Sequence, residues 1–102
     1  MQLLTSRQHI SISERQQEYL EKKMSNLEKF AARVSDASSR CHVDIRKKKV
    51  KDKEQKIELA AKLSLPQDNF HTDVHGMVFE EAVDLLFDKL CRHIKKYKEQ
   101  KQ

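Results

Sequence analysis

Alternation of core-facing and polar residues in three successive segments is the feature that most constrains the fold of this chain. The core-facing positions are Cys41, Val43 and Ile45, then Ile57, Leu59, Ala61, Leu63 and Leu65, then Phe70, Thr72 and Val74. A period of two is typical of a strand with one buried and one solvated face. Short connections at residues 50–55 and 67–69 join the segments. We therefore predict an antiparallel meander with one open, polar face.

Two longer segments repeat their apolar residues with the period of a helix. The first follows Ser13, which has the spacing of a capping box with Gln16. The apolar residues are Leu20, Met24, Leu27, Ala31 and Val34 in the first segment, and Phe79, Ala82, Val83, Leu86, Leu90, Ile94 and Tyr97 in the second. Each set lies on one face of a helix with 3.6 residues per turn, so we expect both faces to pack on one side of the sheet.

Residues 1–12 complete the predicted order of elements. Leu3, Thr5, Ile10 and Ile12 indicate a strand with a polar break at residues 6–8. Because a helix connects this strand to the next, the two strands should be parallel, with a right-handed connection. We therefore predict an α+β fold, a single β-α-β-β-β-α domain with a four-stranded sheet and two helices packed on one face. At 102 residues the chain fits one domain, and we expect its last few residues to form a flexible basic tail.

Composition excludes several classes of function. The chain has one glycine, Gly76, so it lacks the Gly-rich phosphate loops of nucleotide-binding folds and the Gly-x-Ser-x-Gly turn of hydrolases. The two cysteines, Cys41 and Cys91, form neither a disulfide framework nor a zinc motif, and small buried hydrophobes are the favoured interpretation. No apolar run is long enough to cross a membrane. We expect a cytoplasmic, non-enzymatic protein without a cofactor, a metal, a small-molecule substrate or membrane contact.

Charge is segregated along the chain, although the net charge is only +5. Residues 40–56 contain eight basic and three acidic side chains, and residues 88–102 contain six and two, whereas residues 57–87 contain one and six. Clustered lysines and arginines attract polyanions and release counterions on binding. A solvated charged face is the simpler alternative. The clusters favour nucleic acid over a membrane surface, because both helices use their apolar faces for the core.

Two further groups of residues suggest a metal site and an acid–base site, but each has a simpler explanation. His71, Asp73 and His75 share one strand face, yet they span roughly 13 Å, which is too far for all three to bind one metal ion. A polar or RNA-facing sheet surface is the favoured interpretation. The second group is acidic and lies at the start of the second helix: Glu80, Glu81 and Asp84. Because the helix dipole favours anions there, we interpret these residues as capping groups and not as general acids or bases.

The order of elements and several short segments together resemble a known protein family. The N-terminal half contains Met1-Gln2-Leu3, Ile10-Ser11-Ile12-Ser13-Glu14 and Leu27-Glu28-Lys29-Phe30. The last helix contains Ala82-Val83-Asp84, Leu86, Asp88-Lys89-Leu90, Arg92, Lys96 and Lys98. The latter set is similar to the last-helix pattern A-I-D…L-x-D-K-L-x-R-x-x-x-K-x-K of the ribosome hibernation-promoting factors, also called ribosomal subunit interface or sigma-54 modulation proteins. The resemblance covers essentially the whole chain.

The chain also departs from the pattern of this family. Val78 and Glu80 replace the usual Asp and Tyr at the start of the second helix, and Asn26 replaces a usual basic residue. The segment 47–53 is longer and more basic than usual. Because the sequence stops at Gln102 without the second domain of long members, it resembles the short type.

The resemblance implies a non-enzymatic protein that binds the small ribosomal subunit and its rRNA in the channel used by mRNA and tRNA. Such a protein inhibits translation under stress or in stationary phase. The implied fold is similar to that of double-stranded-RNA-binding domains. We expect a monomer away from the ribosome, and a second, ribosome-pairing factor is a further candidate partner. The alternative is a generic RNA- or DNA-binding module acting as a transcription modulator, although the two helices are too far apart in sequence for a helix-turn-helix.

Basic residues form the predicted RNA interface. On the second helix, Arg92 and Lys96 are i,i+4 neighbours on an exposed face, and Lys89 lies one turn earlier. Cations about 5–6 Å apart along a helix are spaced to contact successive phosphates. The full predicted set is Lys23, Lys29, Arg46, Lys47, Lys48, Lys49, Lys89, Arg92, Lys95, Lys96 and Lys98. The open sheet face, with His42, Arg46 and Lys62, is the next candidate.

Overall fold

The computed structural model of the chain describes residues 1–8, 10–49 and 55–100, with residues 48, 49 and 55 described by their backbone only. Its elements are β1 (Gln2–Gln8), α1 (Glu14–Phe30), β2 (Arg40–Lys49), β3 (Gln55–Leu65), β4 (Asp68–Gly76) and α2 (Phe79–Gln100). The sheet has the order β1-β2-β3-β4, in which β1 is parallel to β2 and the other pairs are antiparallel. The predicted α+β fold and its element order are confirmed. Within the described ranges, no helix is long and apolar enough to cross a membrane.

The core lies between one face of the sheet and both helices. Strand β2 directs Val43 and Ile45 into it, and the register pairs them with Ala61 and Leu59 of β3. All four side chains are fully buried. The helices contribute Leu20, Met24, Leu27, Phe79, Ala82, Val83, Leu86, Phe87, Leu90, Ile94 and Tyr97, and Ala31 joins them from the end of α1. The other sheet face is left open, as the alternation predicts.

Helix α1 begins as predicted but ends earlier than its apolar repeat. The Ser13 amide donates to Gln16 Oε1 at 2.9 Å and the Gln16 amide donates to Ser13 Oγ at 3.1 Å, which completes the capping box. The helix ends at Phe30, with Ala31 as C-cap at φ −90° and ψ 0°. Ala31 and Val34 still pack on the core from the following turn. The apolar period therefore continues past the end of the helix, and our extension of α1 to Val34 was wrong.

Strand β1 runs through the residues predicted to interrupt it. Ser6 and Gln8 pair in register with Asp44 and Arg46 of β2, so their backbone groups join the ladder. The strand ends at Gln8, and Ile10 and Ile12 pack against the core from the connection to α1. Our strand over residues 1–12 with a break at 6–8 was therefore wrong in its bounds, because polar side chains on an open face do not interrupt pairing.

The turn between β3 and β4 consists of Pro66 and Gln67, one residue earlier than predicted. Gln67 has φ 61°, in the left-handed region that tight turns use. Helix α2 contacts this turn and the first residue of β4. The Tyr97 hydroxyl donates to the Pro66 carbonyl at 2.6 Å, and His93 Nε2 lies 2.5 Å from Asp68 Oδ2. These contacts fix the C-terminal half of α2 relative to the sheet.

Gly76 lies where β4 gives way to α2. A Cβ at this position would lie 3.1 Å from the Cβ of Ala82 and 3.4 Å from the Val78 carbonyl oxygen, so a side chain would separate the strand end from the first turn of the helix. The helix then continues to Gln100. The predicted basic tail is thereby reduced to residues 101–102, which lie outside the described residues, and it stays a prediction.

Candidate nucleic-acid interface

The solvent face of α2 carries four of the predicted basic residues. Lys89, Arg92, Lys95 and Lys96 are all exposed, because the apolar residues of this helix occupy the opposite side. Arg92 is the most open of the ion-paired side chains, at 79% exposure, and its Nη2 lies 3.1 Å from Asp88 Oδ2 one turn earlier. An exposed i,i+4 pair of this kind contributes only about 0.3–0.5 kcal/mol. The guanidinium is therefore free to exchange Asp88 for another anion.

Lys98 does not share this face, although the sequence analysis grouped it with Arg92 and Lys96. Two residues along a helix correspond to about 200° around its axis, so Lys98 lies on the side of α2 that faces α1. Its ammonium donates to the Phe30 carbonyl at the end of α1 and lies 4.0 Å from the centroid of the Phe30 ring. A cation near the last carbonyls of a helix also interacts favourably with the helix dipole. In this structure Lys98 joins the two helices.

Lys23 is likewise engaged between the helices. Its ammonium lies 3.1 Å from Asp84 Oδ1, and the Tyr19 hydroxyl donates to the same carboxylate oxygen. The hydrogen bond to Asp84 raises the pKa of Tyr19, and the same bond, reinforced by Lys23, lowers the pKa of Asp84. The bond to Asp84 also raises the pKa of Lys23. Asp84 therefore holds α1 against α2, and our interpretation of it as a capping group was wrong, whereas Glu80 and Glu81 do lie in the first turn.

A groove of about 390 Å³ runs between the two helices beside this cluster. Its lining residues are Lys23, Asn26, Leu27, Phe30, Asp84, Phe87, Asp88 and Cys91. The floor is apolar and the rims carry both acids and bases, so the groove has no single sign of charge. The remaining α1 candidate, Lys29, is exposed in the last turn of that helix. The predicted basic residues of the helices thus divide into an outer α2 face and an inter-helix pair, with Lys29 apart from both.

The remaining predicted residues lie on β2, where the sheet narrows to two strands. Pairing with β1 ends at Arg46, and pairing of β3 with β4 ends at Ile57. The β2–β3 ladder continues beyond both, through Lys47↔Ile57, Lys48↔Lys56 and Lys49↔Gln55. Lys47 is exposed, and Lys48 and Lys49 are known here by backbone position only. The predicted loop at residues 50–54 lies outside the described residues.

Arg46 is held by neighbouring carboxylates of β2 and β3. Its Nη2 lies 2.6 Å and its Nε 2.7 Å from Asp44 Oδ2, and Glu58 Oε1 is 4.0 Å from its Nη1. Hydrogen bonds from Ser6 and Arg46 lower the pKa of Asp44 despite the opposing effect of burial. The guanidinium is therefore partly neutralised on the open sheet face. Sequence reasoning missed Arg40, which is exposed on this same face; its alternation with His42 and Asp44 was the available signal.

The cysteines and the histidine-rich strand do not form a reactive centre. Burial raises the pKa of the Cys41 thiol to about 12 and also raises that of Cys91. Neither is therefore activated as a thiolate nucleophile. Among the residues that the structure describes, no three His, Cys, Asp or Glu side chains are arranged to hold a metal ion.

Sequence and structural comparisons agree with this architecture. The profile of the family described as "Sigma 54 modulation protein / S30EA ribosomal protein" matches residues 4–102. The chain belongs to this family. Proteins of the family are non-enzymatic and associate with ribosomes, so the predicted family and the absence of enzymatic activity are confirmed.

Two solved structures are similar to this chain over nearly its whole length. A ribosomal subunit interface protein from Coxiella burnetii has a TM-score of 0.71 at 24% identity, covering 97% of this chain and 99% of its own. The N-terminal domain of Thermus thermophilus Protein Y has a TM-score of 0.70 at 18% identity, covering 95% of this chain and 99% of its own. No curated protein sequence matches the chain. At these identities the structural likeness supports the fold.

Proposed function

We propose that this protein binds the small ribosomal subunit in the channel for mRNA and tRNA and inhibits translation in the cytoplasm under stress or in stationary phase. Family membership supports the ribosome as the partner. The observation that carries the mode of binding is the exposed basic face of α2, with Lys89, Arg92, Lys95 and Lys96 on the side opposite the core. A rigid helix presenting cations at regular spacing suits contact with the rRNA backbone.

The physical basis of this mode is electrostatic. Residues three and four apart on a helix have Cβ atoms about 5–6 Å apart, so Lys89, Arg92 and Lys96 form a continuous line. Double-stranded RNA is recognised largely through its shape and its backbone, without sequence-specific contacts in the deep groove. Binding of this kind requires no pocket and no catalytic group. Inhibition then follows from occupancy of the channel and not from turnover.

A generic RNA- or DNA-binding module that modulates transcription remains the second candidate, favoured only by the basic charge. A DNA reader of the helix-turn-helix type places one helix in the major groove while the other crosses the backbone. In this chain the apolar stripes of both helices are buried against one sheet face, and β2, β3 and β4 separate the helices in sequence. This arrangement favours contact with a nucleic-acid backbone along the outer side of α2.

The test is the salt dependence of binding to isolated small subunits. For single strands, log K falls against log salt with a slope of about −0.7 per neutralised phosphate, so the four basic residues of the outer α2 face alone predict a slope of roughly −3. Replacing Arg92 and Lys96 together with Ala should flatten that slope by about 1–2 units. Because both side chains are exposed, the double variant should unfold at nearly the wild-type temperature.

The matched control removes one arginine and one lysine from the exposed side of α1, as Arg15→Ala with Lys22→Ala. This control has the same net charge as the test variant and should keep the wild-type slope. Inhibition of in-vitro translation should weaken in the test variant in proportion to its lost binding. A folded test variant with an unchanged slope and full inhibition would remove α2 from the interface.

A further inference from the structure

The open face of the sheet carries a row of three nitrogen-bearing side chains from three adjacent strands. The register pairs His42 of β2 with Lys62 of β3, and Lys62 with His71 of β4. All three residues are exposed. Neighbouring strands lie about 4.8 Å apart, so the two imidazoles flank the lysine from either side. A small ion above Lys62 is thus within reach of all three side chains.

A shallow depression of about 110 Å³ accompanies this row. It is lined by His42, Asp44, Arg46, Ala60, Lys62 and His71. The methyl side chain of Ala60 creates the space, because Ala60 lies between the longer Asp44 and Asp73 in register. Since a water molecule takes about 30 Å³, the depression has room for about three waters or for one tetrahedral oxyanion.

Hydrogen bonds determine which ring nitrogen of His42 carries a proton. The Ser6 hydroxyl donates its only hydrogen to Asp44 Oδ1 at 2.8 Å, so Ser6 Oγ accepts from His42 Nε2 at 3.0 Å. The Nε2 atom therefore carries a proton, and protonation of the ring adds the second one at Nδ1. This added N–H has no acceptor assigned within the described part of the chain.

The charges around the row leave Lys62 without a counter-ion. The carboxylate of Asp44 is paired with Arg46. Within the described residues, no carboxylate lies at ion-pair distance from Lys62 or His71. The other charged groups on this face, among the side chains that the structure describes, are Arg40, Lys56, Glu58, Asp73 and His75, of which Glu58 is shared by Arg46 and His75. The described side chains of this face therefore comprise four cations and three carboxylates while the imidazoles are neutral, and each protonated imidazole adds one further positive charge.

We propose that His42, Lys62 and His71 together bind one phosphate group when the two imidazoles are protonated. The group is either a backbone phosphate of RNA or a free phosphate ion, since both present the same oxygens. This surface lies on the opposite side of the sheet from the helices. The inference therefore does not rest on the proposed role of α2.

The proposal gives binding a definite pH dependence. Histidine side chains ordinarily gain their charge near pH 6.5, whereas lysine and arginine stay charged throughout the physiological range. The row carries one charge while both imidazoles are neutral and three when both are protonated, a state that lower pH favours. Affinity for a phosphate-type anion should rise as the pH falls from 8 to 6.

The experiment follows the imidazole resonances of the whole chain by NMR during titration with sulfate. Sulfate is chosen because its charge is constant between pH 6 and pH 8, so any change in affinity comes from the protein. At pH 6 sulfate should shift the ring signals of His42 and His71 saturably, with at least about tenfold weaker binding at pH 8. His93 is the internal control, because it is bonded to Asp68 on the other side of the sheet.

Variants separate the row from general attraction to a basic protein. Lys62→Ala should weaken sulfate binding about tenfold, because a charge-assisted hydrogen bond is lost. Lys22→Ala removes the same charge from the exposed side of α1 and should leave binding unchanged. Equal weakening by both variants, or shifts of His93 as large as those of His42 and His71, would overturn the proposal.

A second titration with a short oligouridylate identifies the source of the phosphate. If it shifts the same two rings more strongly than sulfate does at equal phosphate concentration, the ligand is an RNA backbone phosphate. If only sulfate shifts them, the ligand is a free anion. If neither shifts them at pH 6, the row binds no phosphate and the proposal is wrong. No ribosome is present, so this outcome is distinct from that of the α2 variants.

Discussion

Two adjacent leucines of α2 provide a sharp test of the packing that holds the basic face in place. Leu86 is 0% exposed and lies in the core, whereas Leu85 is 45% exposed on the solvent side. The two residues have the same side chain and the same helical environment in sequence. Replacing each with Ala therefore separates burial from helix propensity. We expect Leu86→Ala to destabilise the domain strongly and Leu85→Ala to have little effect.

The expected magnitude follows from the complete burial of Leu86. Leu→Ala changes at fully buried sites cost about 2.7–5 kcal/mol, which combines the lost transfer free energy with the cavity left behind. A domain of about 100 residues has an unfolding entropy of roughly 0.2 kcal/mol/K near its midpoint. Leu86→Ala should therefore lower Tm by roughly 12–25 °C. Because the free energy of unfolding of a whole domain is about 5–15 kcal/mol, Leu86→Ala should remove a large part of it.

We would measure the Tm of both variants by thermal unfolding followed by far-UV circular dichroism. Urea unfolding at 25 °C gives their free energies of unfolding. Leu85→Ala should stay within about 0.5 kcal/mol of wild type, as ordinary surface substitutions do. Equal losses in the two variants would show that α2 is rotated about its axis relative to this structure. The exposed positions of Arg92 and Lys96 would then be wrong as well, because the same helical phase determines them.

Two further predictions concern single side chains. Asp84→Asn should cost less than about 1 kcal/mol at pH 7, because the bonds that Asp84 accepts are exposed. The lowered pKa of Asp84 means that its contribution is present above the ordinary carboxyl value of about 3.9 and is lost as the pH falls through the folded-state value. The stability gap between wild type and variant in urea should therefore close below about pH 4; a constant gap would exclude this linkage. In the native protein Cys91 should react with a thiol reagent well before Cys41, whose pKa is about 12, and equal rates would contradict the burial of Cys41.

Most of the fold follows from periodicity, because periodicity reports which side of an element is buried. It gave the element order and the meander, and the helical connection between β1 and β2 then gave their parallel pairing. It could not give the ends of elements, which depend on partners in space. Ser6 and Gln8 interrupt the apolar pattern of β1, yet their backbone pairs with β2. Ala31 and Val34 continue the pattern of α1, yet they lie in a turn.

The candidate interface was only partly accessible from the sequence. Helical phase correctly predicted that Arg92 and Lys96 are exposed. The same phase places Lys98 on a different side of α2. The ion pair between Lys23 and Asp84 could not be predicted from the sequence. The two residues are remote in sequence, and only the packing of α1 on α2 brings them together. The row of His42, Lys62 and His71 required the strand register, which alternation alone does not determine.

The two basic surfaces differ in how their charge responds to pH, so the salt slope measured at two pH values tests which of them contacts the small subunit. The outer face of α2 presents lysine and arginine, which ordinarily stay charged between pH 6 and pH 8, whereas the sheet row includes two imidazoles. A subunit bound through α2 alone would therefore give the same salt slope at both values. We expect the slope to steepen at pH 6 by about 0.7 for each phosphate that the sheet row engages. Lys62→Ala should remove this increment and leave the slope at pH 8 unchanged, whereas Arg92→Ala with Lys96→Ala should flatten the slope equally at both. If the wild-type slope is the same at pH 6 and pH 8, the open sheet face lies outside the contact with the subunit, and any phosphate it binds comes from another source.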